Sequence, residues 1–489
     1  MTLKYLILLI IFLPFLSFLN SLWLNKHPTI RERLNAAIAV INFILSIVAY
    51  NKFAAGEFVN FKFIAINSYL YLGFYTEKIT MIFAIMVNFL WIISMIYSIG
   101  YMYSHKEKHL GRFFAFYCLS ISFTLCIAFS SNLITTFLFY EALTLATFPL
   151  VAHKLTPETK INVKVYLSIL IGTSLLFFLP AIITTLLYLG SINYTLGGLF
   201  IRAENTNIYM VFLLLLLFIF GVAKTGIMPV HKWLPAAMVA PTPVSALLHA
   251  VAVVKSGVFV FIKIIIYIFG IDYLNVVISK MFTINWLLVI PCTTIILASI
   301  VALYQDNLKK MLAYSTISQL SYIVLGVLLL SNAGIISSVV NILAHAFAKI
   351  TLFFAAGSIY VLAHKDKISQ LKGIGRKMPI TMTAFSIAAL SMIGFPLTGG
   401  FMGKWFLLKG IWESSQHWVI FVIIASTVLN ALYFLPVIIN AFFYKYPENK
   451  DEAEVIKKSP HMDAAMIITA ACVLMLFIYS SNFISILTK

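Results

Sequence analysis

The stretch VAKTGIMPVHKWLP, Val222–Pro235, follows an almost unbroken apolar run at 208–221. It puts Lys224 where a membrane span should be purely apolar, and it then breaks the helix. Gly226 permits dihedrals a helix does not use, and Pro229 removes a backbone donor. An ionised side chain at the bilayer centre costs at least about 2.5–3.5 kcal/mol on insertion scales. Irregular backbone at that depth is tolerated only inside protein or beside a wet cavity. The charge and the break therefore read as one device, in which the break admits water and backbone dipoles to a charged site. His231, Lys232 and Trp233 read as its cytoplasmic mouth and interface anchor.

Composition places this stretch in a membrane. The chain has 489 residues, 62% of them hydrophobic and 10% charged, with mean hydropathy +1.00. Soluble domains carry about a quarter charged residues. Apolar runs long enough to cross roughly 30 Å of hydrocarbon recur along the whole chain. Fourteen spans are expected, near 2–24, 34–50, 79–102, 111–129, 131–152, 163–188, 208–230, 243–270, 284–304, 311–331, 335–362, 378–411, 418–444 and 462–486. The fold class is all-α and polytopic. The first span lacks a small-residue cleavage site and reads as a retained helix, not a signal peptide. No soluble domain is expected: the longest polar stretches are 51–78, 190–207 and 445–461, and YPENKDEAEVIKK in the last reads as a solvated loop or short surface helix.

The net charge of +18 reads as orientation and excludes nothing but a need for a nucleic-acid site. Loops such as NKHPTIRER, SHKEKHLGR and HKDKISQLKGIGRK hold most of the Lys and Arg, so that side is expected to be cytoplasmic, with both termini on the other. The surplus also suits anionic lipid. Cys118, Cys126, Cys292 and Cys472 lie in or beside apolar segments without metal or disulfide spacing.

A second break, SMIGFPLTGGFMGK, Ser391–Lys404, carries Gly394 and Pro396 and again has a lysine beside it, Lys404. Paired interrupted segments point to inverted repeats and an ion path; packing kinks are the alternative. Of sixteen Asp and Glu, only Glu141 sits deep within a span. Lys224, Lys255, Lys263, Lys349 and Lys404 lie inside spans or at their ends, with His249 and His345. Lys263, near a span end, is expected to snorkel. Lys224, Lys255 and Lys349 have more than a turn of apolar sequence on both sides, and buried lysines and histidines can load and release a proton. Glu141 and Lys224 are a candidate buried pair. Asn341, His345 and Lys349 recur at i, i+4, i+8 and share a helix face, as a hydrated proton path or as a helix–helix seam. His249 and Lys255 are six apart and do not share one. Ser315, Ser318, Gln319 and Ser321 polarise another helix, to host water or to join helices.

There is no phosphate-binding loop, since GGFMGKW has the wrong spacing. There is no Rossmann fingerprint, no H-E-x-x-H, and no haem or iron–sulfur cysteine pattern. No cofactor, no metal and no covalent chemistry are expected in this chain.

AKTGIMPVHKWLPAAMVAPTPVSALLHAVAVVKSGVF, NILAHAFAKITLFFAAGSIY and SMIGFPLTGGFMGKWFLLKG resemble signatures of the antiporter-like proton-translocating family. That family holds the large membrane-arm subunits of respiratory complex I, membrane-bound hydrogenase subunits and Mrp-type sodium/proton antiporter subunits, and the resemblance spans roughly 75–445. It implies fourteen helices, with two inverted five-helix repeats in which the seventh and twelfth helices are broken. The organisation would be 1–110 for three N-terminal helices, 111–270 and 284–444 for the repeats, and 445–489 for a loop and last helix. It implies a translocation axis of Glu141, Lys224, His249, Lys255, His345, Lys349 and Lys404, with Glu141 and Lys224 as the gating pair. Asn341 departs from members with a further histidine there. The lateral helix of the largest complex I subunit is missing after the last span, and the size matches shorter members such as the Mrp D-type subunit.

The first functional reading is a proton-translocating subunit of a multisubunit complex in the bacterial cytoplasmic membrane, working with other membrane subunits. As a Mrp-type antiporter part it would exchange protons for a monovalent cation such as Na+. The alternatives are the membrane arm of an NADH:quinone oxidoreductase or hydrogenase, and a stand-alone secondary transporter. Against the last, one deep carboxylate is a poor ligand set for sodium, which prefers oxygen.

Overall fold

In hydrocarbon every backbone polar group must pair within its own segment, so apolar runs of this length become helices. The computed structural model describes residues 2–65, 67, 70–202, 207–281, 285–446, 459–480 and 485. Fifteen helices carry the argument: α1 (Leu3–Trp23), α2 (Pro28–Ala54), α3 (Lys78–Ser104), α4 (Leu110–Phe129), α5 (Leu133–Val151), α6 (Pro157–Leu189), α7 (Ile208–Gly221), α8 (Thr242–Phe269), α9 (Trp286–Leu303), α10 (Leu308–Leu328), α11 (Asn332–Ala363), α12 (Pro379–Ile393), α13 (Gly399–Glu413), α14 (Val419–Phe443) and α15 (Pro460–Ile478). Among the described residues, twelve are long and apolar enough to cross a membrane. The shorter apolar helices α7 and α12 stop at the two breaks.

Burial sorts these helices into a centre and a rim. The apolar windows of α8, α10 and α11 are 94% buried, those of α2, α14 and α15 only 33%. Two of these three, α8 and α11, carry His249, Lys255, His345 and Lys349, so the costliest side chains lie furthest from lipid. α8 departs from ideal geometry twice, with wider π turns at Leu247–Val251 and Ile264–Phe269. His249 lies in the first.

Both breaks end on a glycine in the left-handed region. A single 3-10 turn, Ala223–Thr225, leads from α7 to Gly226 at φ +76°, and α12 ends at Gly394 at φ +91°. A side chain at either would be strained. Interrupting a helix frees carbonyls from its ladder; that of Ala223 accepts the Gly226 N–H at 2.9 Å and, besides it, the side chain of Trp233. Its indole N–H donates to the Ala223 carbonyl at 3.0 Å. The ring is fully buried and packs edge-on against Tyr166, centroids 5.8 Å apart. The expectation of Trp233 as an interface anchor is thus overturned, because the freed carbonyl draws the indole inward. Lys232 is exposed and His231 half-buried.

The polar stretch 51–78 contains a hairpin, β1 (Asn60–Ala65) paired antiparallel with β2 (Tyr71–Tyr75). A helix at Ile271–Met281 also fills what reads as a loop between spans. Residues 447–458, most of the YPENKDEAEVIKK segment, and much of the chain after 480 lie outside the described residues.

Trp233→Ala is expected to lower stability by about 3–5 kcal/mol, from lost buried volume. Trp233→Phe should cost about 1 kcal/mol, because the Ala223 carbonyl loses one of its two donors and keeps the Gly226 N–H. Thermal unfolding of the detergent-solubilised protein ranks the two.

Candidate functional site

Taking an ammonium out of water leaves three N–H donors that must find acceptors. Each buried lysine finds them differently. Lys224 is fully buried, and its ammonium donates to the Tyr140 carbonyl on α5 while lying over the Tyr140 ring, 3.4 Å from its centroid. Its own backbone N–H donates to the Tyr140 hydroxyl at 3.0 Å. The tyrosine therefore holds both ends of the lysine.

Glu141 is the next residue on α5, yet among the described residues no ion pair within 4.0 Å joins it to Lys224. It is half-buried, its Oε1 has no hydrogen-bond partner, and Lys224 and Ser174 are its electrostatic neighbours. The two groups face one another without closing a salt bridge.

On the central helices, the Lys255 ammonium meets His345 Nδ1 at 2.6 Å, joining α8 to α11. That distance is a hydrogen bond between two titratable nitrogens, its donor set by the tautomer of the ring. His249, fully buried, has no hydrogen-bond partner on either ring nitrogen, and its ring lies 4.7 Å from that of Phe353. Lys255 reaches His345 and not His249, in keeping with their six-residue separation.

Lys349 turns to α10, donating to the Leu312 carbonyl at 3.1 Å and to Ser315 Oγ at 2.8 Å. Ser315 also takes the hydroxyl of Tyr433 at 2.9 Å. His345 and Lys349 share a face of α11 but serve different neighbours. Asn341 donates to Ser337 at 3.1 Å and packs where a side chain on Gly403 would collide with it. Of the other polar α10 residues, Ser318 bonds Ser299 across to α9 at 2.9 Å. Gln319 reaches the Met392 carbonyl at the second break, at 3.2 Å. Ser321 bonds back to Ile317 within its own helix.

At that break, Lys404 donates to the Ile393 carbonyl, the last of α12, at 2.6 Å, and to Thr427 Oγ1 at 2.9 Å. A helix C-terminus carries partial negative charge and unpaired carbonyls. The break thus makes the acceptor that the lysine uses.

Lys263 does not snorkel. It is fully buried, donates to the Ala128 and Ser130 carbonyls at the end of α4 at 3.2 and 2.8 Å, and pairs with Glu77 at 3.4 Å. Glu77 stands at a helix end in the sequence, but the fold buries it against a lysine 186 positions away. No local pattern marks that.

Tyr140, Tyr433, Thr427 and Gly257 also escape the sequence, being uncharged. At Gly257 the backbone of Lys224 lies where any side chain would sit. The only sequence signal is a glycine in the interior of a helix, a mark of close approach. The four cysteines are free, and no cluster of three or more His, Cys, Asp or Glu fit for a metal occurs among the described residues.

Against known proteins, the chain matches the family described as NADH:quinone oxidoreductase/Mrp antiporter, TM, over residues 130–430. It is 31% identical to NADH-quinone oxidoreductase subunit L of Rickettsia typhi over 91% of this chain and 68% of that protein. It spans between 56% and 71% of the length of four similar Rickettsia subunits. Its fold is that of a chain in the Mrp complex from Dietzia sp. DQ12-45-1b, with TM-score 0.84, 18% identity, and coverage of 99% of this chain and 96% of that one. It is equally that of a chain in a membrane-bound sulfane sulfur reductase, an archaeal respiratory membrane complex, with TM-score 0.86, 20% identity and the same coverage.

Gly257→Ala is expected to lower stability by about 1–3 kcal/mol through overpacking against Lys224. Gly172→Ala, with open space around the added methyl, should be neutral or stabilising by up to about 1 kcal/mol. Melting curves of the two side by side decide it.

Proposed function

The chain belongs to the NADH:quinone oxidoreductase/Mrp antiporter transmembrane family, and on that premise we propose that it is the proton-translocating subunit of a multisubunit membrane complex. Glu141, Lys224, His249, Lys255, His345, Lys349 and Lys404 carry the proton. One observation bears the weight: the buried lysines of this set are held by neutral acceptors. Lys224 and Lys404 rest on carbonyls, Lys349 on a carbonyl and a hydroxyl, and Lys255 on an imidazole nitrogen. A buried lysine salt-bridged to a carboxylate holds its proton more tightly, because losing it to any other acceptor leaves an unpaired anion in low dielectric. Held by neutral oxygen, it can release a proton and remain satisfied as an amine.

The steps follow from these contacts. Lys255 and His345 exchange a proton along their shared hydrogen bond. Glu141 faces Lys224 without pairing, so movement of Lys224 off Tyr140 closes a charge pair and reopening breaks it. Water completes the axis between groups that do not touch, and His249, with two unpartnered nitrogens inside the protein, is a natural host for it. The breaks at Gly226–Pro229 and Gly394–Pro396 supply the irregular backbone beside Lys224 and Lys404. A cavity of about 400 Å3 on the lysine-rich side, lined by Lys154, Glu158, Thr242, Lys309 and Asp366 among others, opens beside the start of α8 and suits proton uptake.

The proposal includes two inverted five-helix repeats, 111–270 and 284–444, flanked by 1–110 and 445–489, and fourteen crossings in all. It also includes a bacterial cytoplasmic membrane with both termini outside, the side of fewer Lys and Arg. Partner subunits decide whether the proton is exchanged for Na+ in a Mrp-type assembly or driven by redox chemistry elsewhere in a complex I-like one. Identity of 31% to a subunit L supports the second.

In the complex reconstituted with its partners, Lys224→Ala and Glu141→Ala should each abolish proton transport while assembly persists. Lys224→Arg should abolish it too, since guanidinium keeps its proton. Vesicle pH-dye assays normalised to assembled complex check this, and normal transport by any of the three overturns the axis.

A further inference from the structure

We infer that Glu77 is a proton-release acid at the far end of α8, separated from the central axis by an aromatic gate of Phe83 and Phe259. This rests on the proton-translocating reading above and adds residues to it.

α8 is regular between Val253 and Lys263, so Lys255, Phe259 and Lys263 follow one another at four-residue steps on one face. Lys255 belongs to the central axis. Lys263 lies about 12 Å further along the helix, at the end opposite the lysine-rich loop between α3 and α4. Between them stands Phe259, fully buried and stacked on Phe83 of α3 with centroids 4.3 Å apart. The Lys263 ammonium lies 5.8 Å from the Phe259 ring on the far side. Two polar stations on one helix face are thus divided by a stacked aromatic pair, which water cannot cross without a ring moving.

The outer station is built for a titrating carboxylate. Glu77 Oε1 accepts from Thr80 Oγ1 at 2.7 Å and faces Lys263 at 3.4 Å. Its Oε2 is buried with no hydrogen-bond partner, and the residue is 7% exposed. Tyr75 and Tyr267 are its electrostatic neighbours. Lys263 does not depend on Glu77 alone: two carbonyls hold it, and the rings of Tyr75 and Tyr194 lie 4.6 and 4.4 Å away. When the carboxylate takes a proton, the ammonium stays satisfied. When it releases the proton, the ammonium restores the pair. Glu77 is therefore the carrier and Lys263 the fixed positive charge that positions it. A hydroxyl chain, Ser130 to Thr136 at 2.6 Å and Thr136 to Tyr194 at 2.9 Å, runs beside them toward the end of the fold.

The test uses the intact complex in liposomes, with proton transport read per assembled complex. Glu77→Gln is expected to lower transport at least tenfold, and Glu77→Asp to restore most of it. Phe259→Ala should let an imposed pH gradient collapse several-fold faster than in the wild type, because the gate is gone. Wild-type transport by Glu77→Gln overturns the inference, and so does a Phe259→Ala complex no leakier than wild type, a measurement that stands even where Glu77→Gln fails to assemble. Loss of transport in Lys224→Ala alongside a fully active Glu77→Gln leaves the central axis standing and removes only this station. A wild-type complex that moves no protons overturns both.

Discussion

An ammonium removed from water must be met by oxygen or nitrogen, and the architecture follows from how that need is met. Lys224 lies on a tyrosine, Lys349 on a carbonyl and a serine, and Lys404 on the last carbonyl of an interrupted helix. Carbonyls of continuous helices are already spent on the helix, and Lys224 and Lys349 share two of them, Tyr140 in α5 and Leu312 in α10. Breaking the chain at Gly394, or setting a helix end opposite a lysine as α4 does for Lys263, frees further acceptors inside the protein. At Lys404 and Lys263 the helix ends and the buried charges are two sides of one constraint.

The identity of the acceptor then separates two kinds of buried lysine. Lys224, Lys255, Lys349 and Lys404 rest on neutral groups and can change protonation without orphaning a charge. Lys263 faces a carboxylate as well as carbonyls, and keeps a satisfied ammonium whichever form Glu77 takes. On the proposed reading the first kind conducts and the second biases. Both kinds sit in or beside the nearly fully buried α8, α10 and α11, and Lys263, on α8 itself, reaches Glu77 just past the hairpin strand β2.

Much of this was legible in the residues. Apolar runs mark helices because length and hydropathy are local properties, and the glycine–proline breaks beside Lys224 and Lys404 announce themselves in a few letters. The i, i+4, i+8 spacing puts His345 and Lys349 on one face. Partners are another matter. Nothing near Lys263 names Glu77, and nothing near Lys224 names Tyr140, because those contacts join segments far apart in sequence. Trp233 read as an interface anchor since aromatic residues beside a basic pair usually are; the carbonyl freed at Ala223 took its indole instead. The hairpin at 60–75 was hidden by its shortness, and Gly257 by the fact that a missing side chain carries no chemistry.

The central claim is that the separate lysine and histidine sites form one connected path. High-resolution cryo-electron microscopy of the intact complex in lipid tests it most directly, by locating ordered water between Lys224, His249, Lys255, Lys349 and Lys404. The account predicts waters bridging each gap that side chains leave open, with His249 hydrogen-bonded to at least one. Dry apolar packing across the space between Lys224 and Lys255 would contradict it.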